Sequence, residues 1–141
     1  MYALLEALEA LEGAAASLAA KNAREDDISV LNSLLADEPN HFDNPATLSK
    51  LHQQLHAVIC DAARNRYLTE AIGRLSSHLS LLQGPTVIPI HRLPCGHAEH
   101  GKIIEAISAR NPDAAEKYAR EHMKECGRTR IDLLLPEFAR R

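Results

Sequence analysis

The chain is 141 residues long, 45% hydrophobic and 25% charged, which suits one globular domain over residues 1–141 and excludes a disordered chain. A net charge of −3, with no basic stretch interleaved with aromatics, excludes nucleic-acid binding by this domain alone. No secretory leader and no run of about 18 apolar residues is present, and Cys60, Cys95 and Cys126 lack a CxxC spacing; the expectation is a soluble cytoplasmic protein with reduced thiols, no membrane partner and no cysteine zinc site.

Tyr2 to about Lys21 places Leu4, Leu8, Leu11, Ala15 and Leu18 at helical spacing among strong helix formers and predicts a long amphipathic helix. A second helix is expected from about Glu25 to Ala36, with Asp26 and Asp27 in its first turn. Asp37 to Asn44 reads as a polar loop. Asn44-Pro45 then caps a third helix to about Ala63, and Asn65 a fourth that carries Leu68, Ile72, Leu75, Leu79 and Leu82. Gly84 to Gly96 reads as an extended, proline-bearing stretch. Two further helices, about His97 to Ala109 and Pro112 to Glu125, form a hairpin about Asn111, and a short last helix from about Thr129 stops before Pro136. Without repeats or βαβ alternation, the fold class is all-α, an antiparallel bundle of six or seven helices.

Four histidines stand out against this frame. His52 and His56 are vertical neighbours on the helical face that carries Leu48, Leu55 and Ile59. His100 shares a stripe with Ile103, Ile104 and Ile107, and His122 one with Ala115, Tyr118, Ala119 and Cys126. The hairpin climbs about 15 Å from His100 and descends about 15 Å to His122, so the two rings end level. One histidine on an apolar stripe is more often a hydrogen-bonded core residue than a ligand. Four must either converge on a divalent metal or each find a buried partner, because an unpaired polar group costs about 1–3 kcal/mol. His97 and His100, three apart, allow a separate cluster at the loop-to-helix junction, but it explains neither His52 nor His56. On the fourth helix, Arg74 and His78 could offer a cation and a donor to a carboxylate ligand, or simply form a solvated face.

The run Leu55-His56-Ala57-Val58-Ile59-Cys60-Asp61-Ala62-Ala63-Arg64-Asn65-Arg66-Tyr67-Leu68 resembles the signature F-H-x-x-L-x-x-A-x-x-N-x-x-L of the FCD domain, the effector-binding half of FadR-type regulators of the GntR family. Glu99-His100-Gly101-Lys102-Ile103-Ile104-Glu105-Ala106-Ile107 resembles that domain's E-H-x-x-I-x-x-A-I helix. Asp113-Ala114-Ala115 to His122, and Leu11-Glu12 with Leu18-Ala19-Ala20, resemble two more of its helices. The resemblance covers about Tyr2 to Leu135. It implies a divalent metal held by three histidines, which fall on His56, His100 and His122, and by an aspartate whose position here holds His52. Four neutral imidazoles would leave the ion's double charge uncompensated, which favours Zn²⁺ or Ni²⁺ over Mn²⁺ and attracts an anion.

The resemblance further implies a homodimer and a small carboxylate effector, with DNA reached only through an N-terminal winged helix-turn-helix. Here the chain opens directly on the first effector-domain helix, which leaves a fragment of a longer regulator or a stand-alone sensor; the expectation is the fragment. No enzymatic activity is expected. A metal-dependent enzyme and a purely structural dimerisation module are the other readings. A helical HExxH is absent, and no carboxylate stands at helical spacing beside the histidines as a general base.

Overall fold

The computed structural model describes residues 1–83 and 88–139, with side chains up to residue 82 and from 88 to 134. Among the described residues six α-helices follow one another: α1 Tyr2–Asn22, α2 Glu25–Asp37, α3 Pro45–Ala62, α4 Arg66–Gln83, α5 Leu93–Ser108 and α6 Pro112–Ala139. Two 3₁₀ turns, Glu38–His41 and Ile90–Arg92, precede α3 and α5. No strand occurs among the described residues, and none of their helices is long and apolar enough to cross a membrane.

The helix starts follow their capping residues. Asn44, Asn65 and Asn111 accept the backbone N–H of Thr47, Leu68 and Ala114 at 3.3, 3.1 and 3.1 Å, which satisfies donors that a helix leaves open at its first turn. Arg110, with φ 56°, turns the chain between α5 and α6. The main core joins Ala16, Ala19 and Ala20 of α1, Leu31 of α2, Leu55 and Ile59 of α3, Ile103, Ile104 and Ile107 of α5 and Ala115 and Ala119 of α6. A second cluster lies under α4, where Ile72 and Leu79 meet Leu8, Ala15, Cys60 and Ala63. Small residues let α1 and α6 approach closely: a Cβ on Gly13 would come within 2.6 Å of Arg120 Cγ. All three cysteines are free, and burial pushes the Cys60 thiol up to about 12.

Three local expectations are corrected. The polar loop from Asp37 to Asn44 contains a 3₁₀ turn, in which Asp37 accepts from Asn40 at 3.2 Å and from His41 at 3.1 Å, and which buries Glu38. Of the stretch expected to be extended, residues 84–87 lie outside the described residues. The remainder turns at Ile90–Arg92 and becomes helical from Leu93, four residues before His97, with Pro94 in the first turn where its missing N–H is harmless. The break expected between Glu125 and Thr129 does not occur. Helix α6 continues through Gly127 and past residue 136, because Gly127 packs on Leu5 of α1 and tertiary contact overrides the local preference of glycine.

Candidate metal centre

His56 enters from α3, His100 from α5 and His122 from α6, and one ring nitrogen of each lies within 4.8 Å of the others. His100 and His122 are almost fully buried, at 1% and 4% exposure, and His56 is half-buried. The Nε2 atoms of His100 and His122 face each other at 3.1 Å. His52 is placed differently. Its Nε2 lies 2.9 Å from Glu38 Oε2, and it groups with Glu38 and His100 instead of joining His56 and His122.

Each of the three converging rings has a carboxylate behind it. His100 Nδ1 donates to both oxygens of Glu38 at 3.0 Å, and His122 Nδ1 to Glu99 at 2.7 Å, while His56 Nδ1 stands 3.6 Å from Glu12. Glu99 is held in turn by two bonds from the Arg92 guanidinium, at 2.9 and 3.0 Å. A carboxylate that accepts the Nδ1 proton orients its ring so that Nε2 faces inward, where it can ligate a metal once unprotonated, as the carboxylates behind metal-bound histidines do.

The electrostatics agree with that arrangement. Burial works to raise Glu38, but the bonds from His100 and His52 outweigh it and bring the carboxyl to about 2. Glu99 is likewise brought to about 2, against burial, by His122 and Arg92. Burial, and then the charge of its histidine neighbours, lowers His100 to about 4 despite the Glu38 bond. His122 is raised: burial opposes its charge, but its contacts with Cys126 and Glu99 prevail. In the metal-free protein His122 therefore donates its Nε2 proton to the lone pair of His100.

The donor set fits a divalent ion. Two nitrogens bound at about 2.1 Å stand about 3.0–3.4 Å apart in right-angled to tetrahedral geometry, a range that includes the observed 3.1 Å. Once His122 has lost its Nε2 proton, three carboxylates against one guanidinium leave two negative charges around neutral rings, which a divalent cation balances. The expectation of an uncompensated double charge is thus corrected, because Glu12, Glu38 and Glu99 supply what an all-imidazole site lacks. None of the three stands out in the sequence as a partner of these rings. Glu12 had a usable signal: it lies between Leu8 and Ala16 at four-residue steps, a carboxylate on a buried stripe.

A small cavity beside the rings, lined by Glu12, Ala16, His56, Ile59, Ile103, Ala119, His122 and Met123, has room for about one water molecule. Arg74 and His78 do not line it. Both are exposed on α4, a helix that packs on α1 and α3.

An all-α bundle that gathers imidazoles and carboxylates from α1, α3, α5 and α6 around one point defines a small-molecule sensing domain more readily than a scaffold. The FCD domain family model matches residues 3–125, and the chain belongs to that family, whose members are the effector-sensing domains of GntR-type regulators. No curated protein matches the chain.

Proposed function

We propose that this domain senses a small organic acid at a divalent metal held by His56, His100 and His122, with Zn²⁺ or Ni²⁺ the ions best suited to three imidazoles. The observation that carries this reading is the set of three carboxylates behind the converging rings, hydrogen-bonded to His100 and His122 and 3.6 Å from His56, which with neutral rings and one guanidinium leave two negative charges for a divalent ion to balance. Bound there, the ion would supply a Lewis-acidic point with open positions for a carboxylate oxygen. The protein's own residues set the consequence of ligand entry. The cavity that α1, α3, α5 and α6 wall is too small for an organic acid, so an entering carboxylate must move these helices apart, and Glu12 makes α1 the one that repels it. Movement of α1 is then the output that a regulator passes to DNA-binding domains.

Tyr67, Leu81 and Leu82 at the two ends of α4 are exposed apolar side chains that a homodimer would cover. The test of the metal on which the reading rests is elemental analysis of the purified domain with melting curves on added Zn²⁺ or Ni²⁺, in the parent and in His122→Ala. About one ion per chain and a rise in Tm confined to the parent support it. No metal and no shift overturn it.

A further inference from the structure

Glu12 is a carboxylate on the buried stripe of α1, between Leu8 and Ala16, and only 8% exposed. Burying a charge there costs free energy unless a partner offsets it. Among the described residues the one basic group within ion-pair range is His56 Nδ1, at 3.6 Å, which is too long for a good hydrogen bond. Glu12 is also one wall of the small cavity beside the rings. Apart from Glu12 and the ligands His56 and His122, the walls are aliphatic: Ile59, Ile103 and Met123 with two alanines. No lysine or arginine lines the cavity.

Building on the metal-bound acid proposed above, we propose that this acid is an α-amino acid with an aliphatic side chain, its carboxylate at the metal, its ammonium on Glu12 and its side chain against Ile59, Ile103 and Met123. Charge decides between the acids. With the ion bound, Glu12, Glu38 and Glu99 are balanced by the ion and the Arg92 guanidinium, so a ligand that enters this buried centre should bring no net charge. A monocarboxylate brings one negative charge and a dicarboxylate two, with no lysine or arginine in the walls to meet either. A zwitterion brings none. Its ammonium stands on the carbon next to the carboxylate, so both ends fit one small site whose walls hold Glu12 beside His56 and His122. The ammonium keeps its proton and donates to Glu12, a charge-assisted bond that gives the buried carboxylate its partner. An aliphatic side chain matches the remaining walls, whereas a polar one would be left there without hydrogen bonds. The repulsion that Glu12 exerts on a bare carboxylate becomes an attraction, so α1 shifts to make room and the ligand holds it in its new position.

Isothermal titration and melting curves of the zinc-loaded domain test this, with L-alanine, L-valine and L-leucine set against propionate, isovalerate and isocaproate, the same acids without the amino group, and against succinate. Zinc is counted after each titration to show that the amino acid has not removed it. The expected result is that at least one amino acid binds about tenfold or more tighter than its deamino partner and than succinate, and that Glu12→Gln and Glu12→Ala abolish the difference. Deamino acids or succinate that bind as tightly as the amino acids overturn the amino-acid class while leaving a metal-bound acid standing. A preference retained in a zinc-loaded Glu12 variant overturns the assignment of the ammonium to Glu12. No response to any acid in the zinc-loaded domain, or the same response in His122→Ala, overturns acid sensing at the metal as well.

Discussion

His100 Nε2 and His122 Nε2 face each other at 3.1 Å across the α5–α6 hairpin while their Nδ1 atoms donate outward to Glu38 and Glu99. Two nitrogens so placed share one proton or ligate one ion. Each of these two rings is anchored from behind, so loss of an anchor should weaken a metal without removing a ligand. Glu99→Gln is expected to lower Zn²⁺ affinity about 10- to 100-fold with the stoichiometry unchanged. Competition against a chelator of known affinity measures it, and an unchanged affinity would show that Glu99 does not tune the site.

The metal-free domain should be most stable near neutral pH. His100 has a folded value of about 4 against an ordinary 6.5, so between these values the unfolded chain takes up a proton that the native state refuses, and stability falls as pH drops. Glu38 and Glu99, lowered from 4.5 to about 2, stabilise above 4.5 and lose that contribution as pH falls toward 2. His122, raised, stabilises fully below 6.5 and loses its contribution as pH rises through its folded value. Melting curves in chelator from pH 3 to 10 should therefore fall on both sides of a maximum. A Tm that keeps rising below pH 5 contradicts the buried pairing.

Leu55 is fully buried on α3 between His52 and His56. Leu55→Ala should destabilise the domain by about 2–5 kcal/mol through lost burial and a residual cavity. Denaturant titration reads this directly, and a loss well under 1 kcal/mol would mean that α3 does not pack as described.

Gly127→Ala should stabilise by about 0.5–1 kcal/mol. The new Cβ would meet Leu5 at 3.5 Å, an ordinary contact, and an interior helical glycine is the poorer helix former. No gain, or a loss, would favour the helix break read from the sequence.

The exposed apolar side chains of α4 lead us to expect a dimer at micromolar concentration, which sedimentation tests. Leu81, 88% exposed, makes the sharper variant: Leu81→Glu should shift the equilibrium toward monomer without lowering helicity. A parent that sediments as a monomer contradicts the proposed assembly.

Much of this was legible in the sequence where short-range periodicity decides. Pro112 opens α6 behind the Asn111 cap, and Ile103, Ile104 and Ile107 are buried with His100 as their stripe requires. The meeting of His100 and His122 followed from equal rises along the two arms of the hairpin. Glu38 was hidden because a carboxylate in a polar stretch reads as solvated, and only packing across 62 residues to His100 makes it part of the centre. Glu99 was hidden for another reason: its partner is His122 on the next helix, not the adjacent His100. His52 shares a helical face with His56, but periodicity says nothing of a ring's final rotation, and Glu38 turns it away. Arg74 and His78 lie at the edge of the α4 stripe, where a shift of a few tens of degrees separates cavity from solvent; the structure puts them in solvent.

The most direct measurement is anomalous diffraction, at the absorption edge of the bound metal, from crystals of the domain grown with Zn²⁺ or Ni²⁺. The expected result is one strong peak within about 2.3 Å of nitrogens from His56, His100 and His122 together. A map with no peak among these three rings, in crystals whose ions sit only at surface residues, would contradict the metal centre and the effector site built on it.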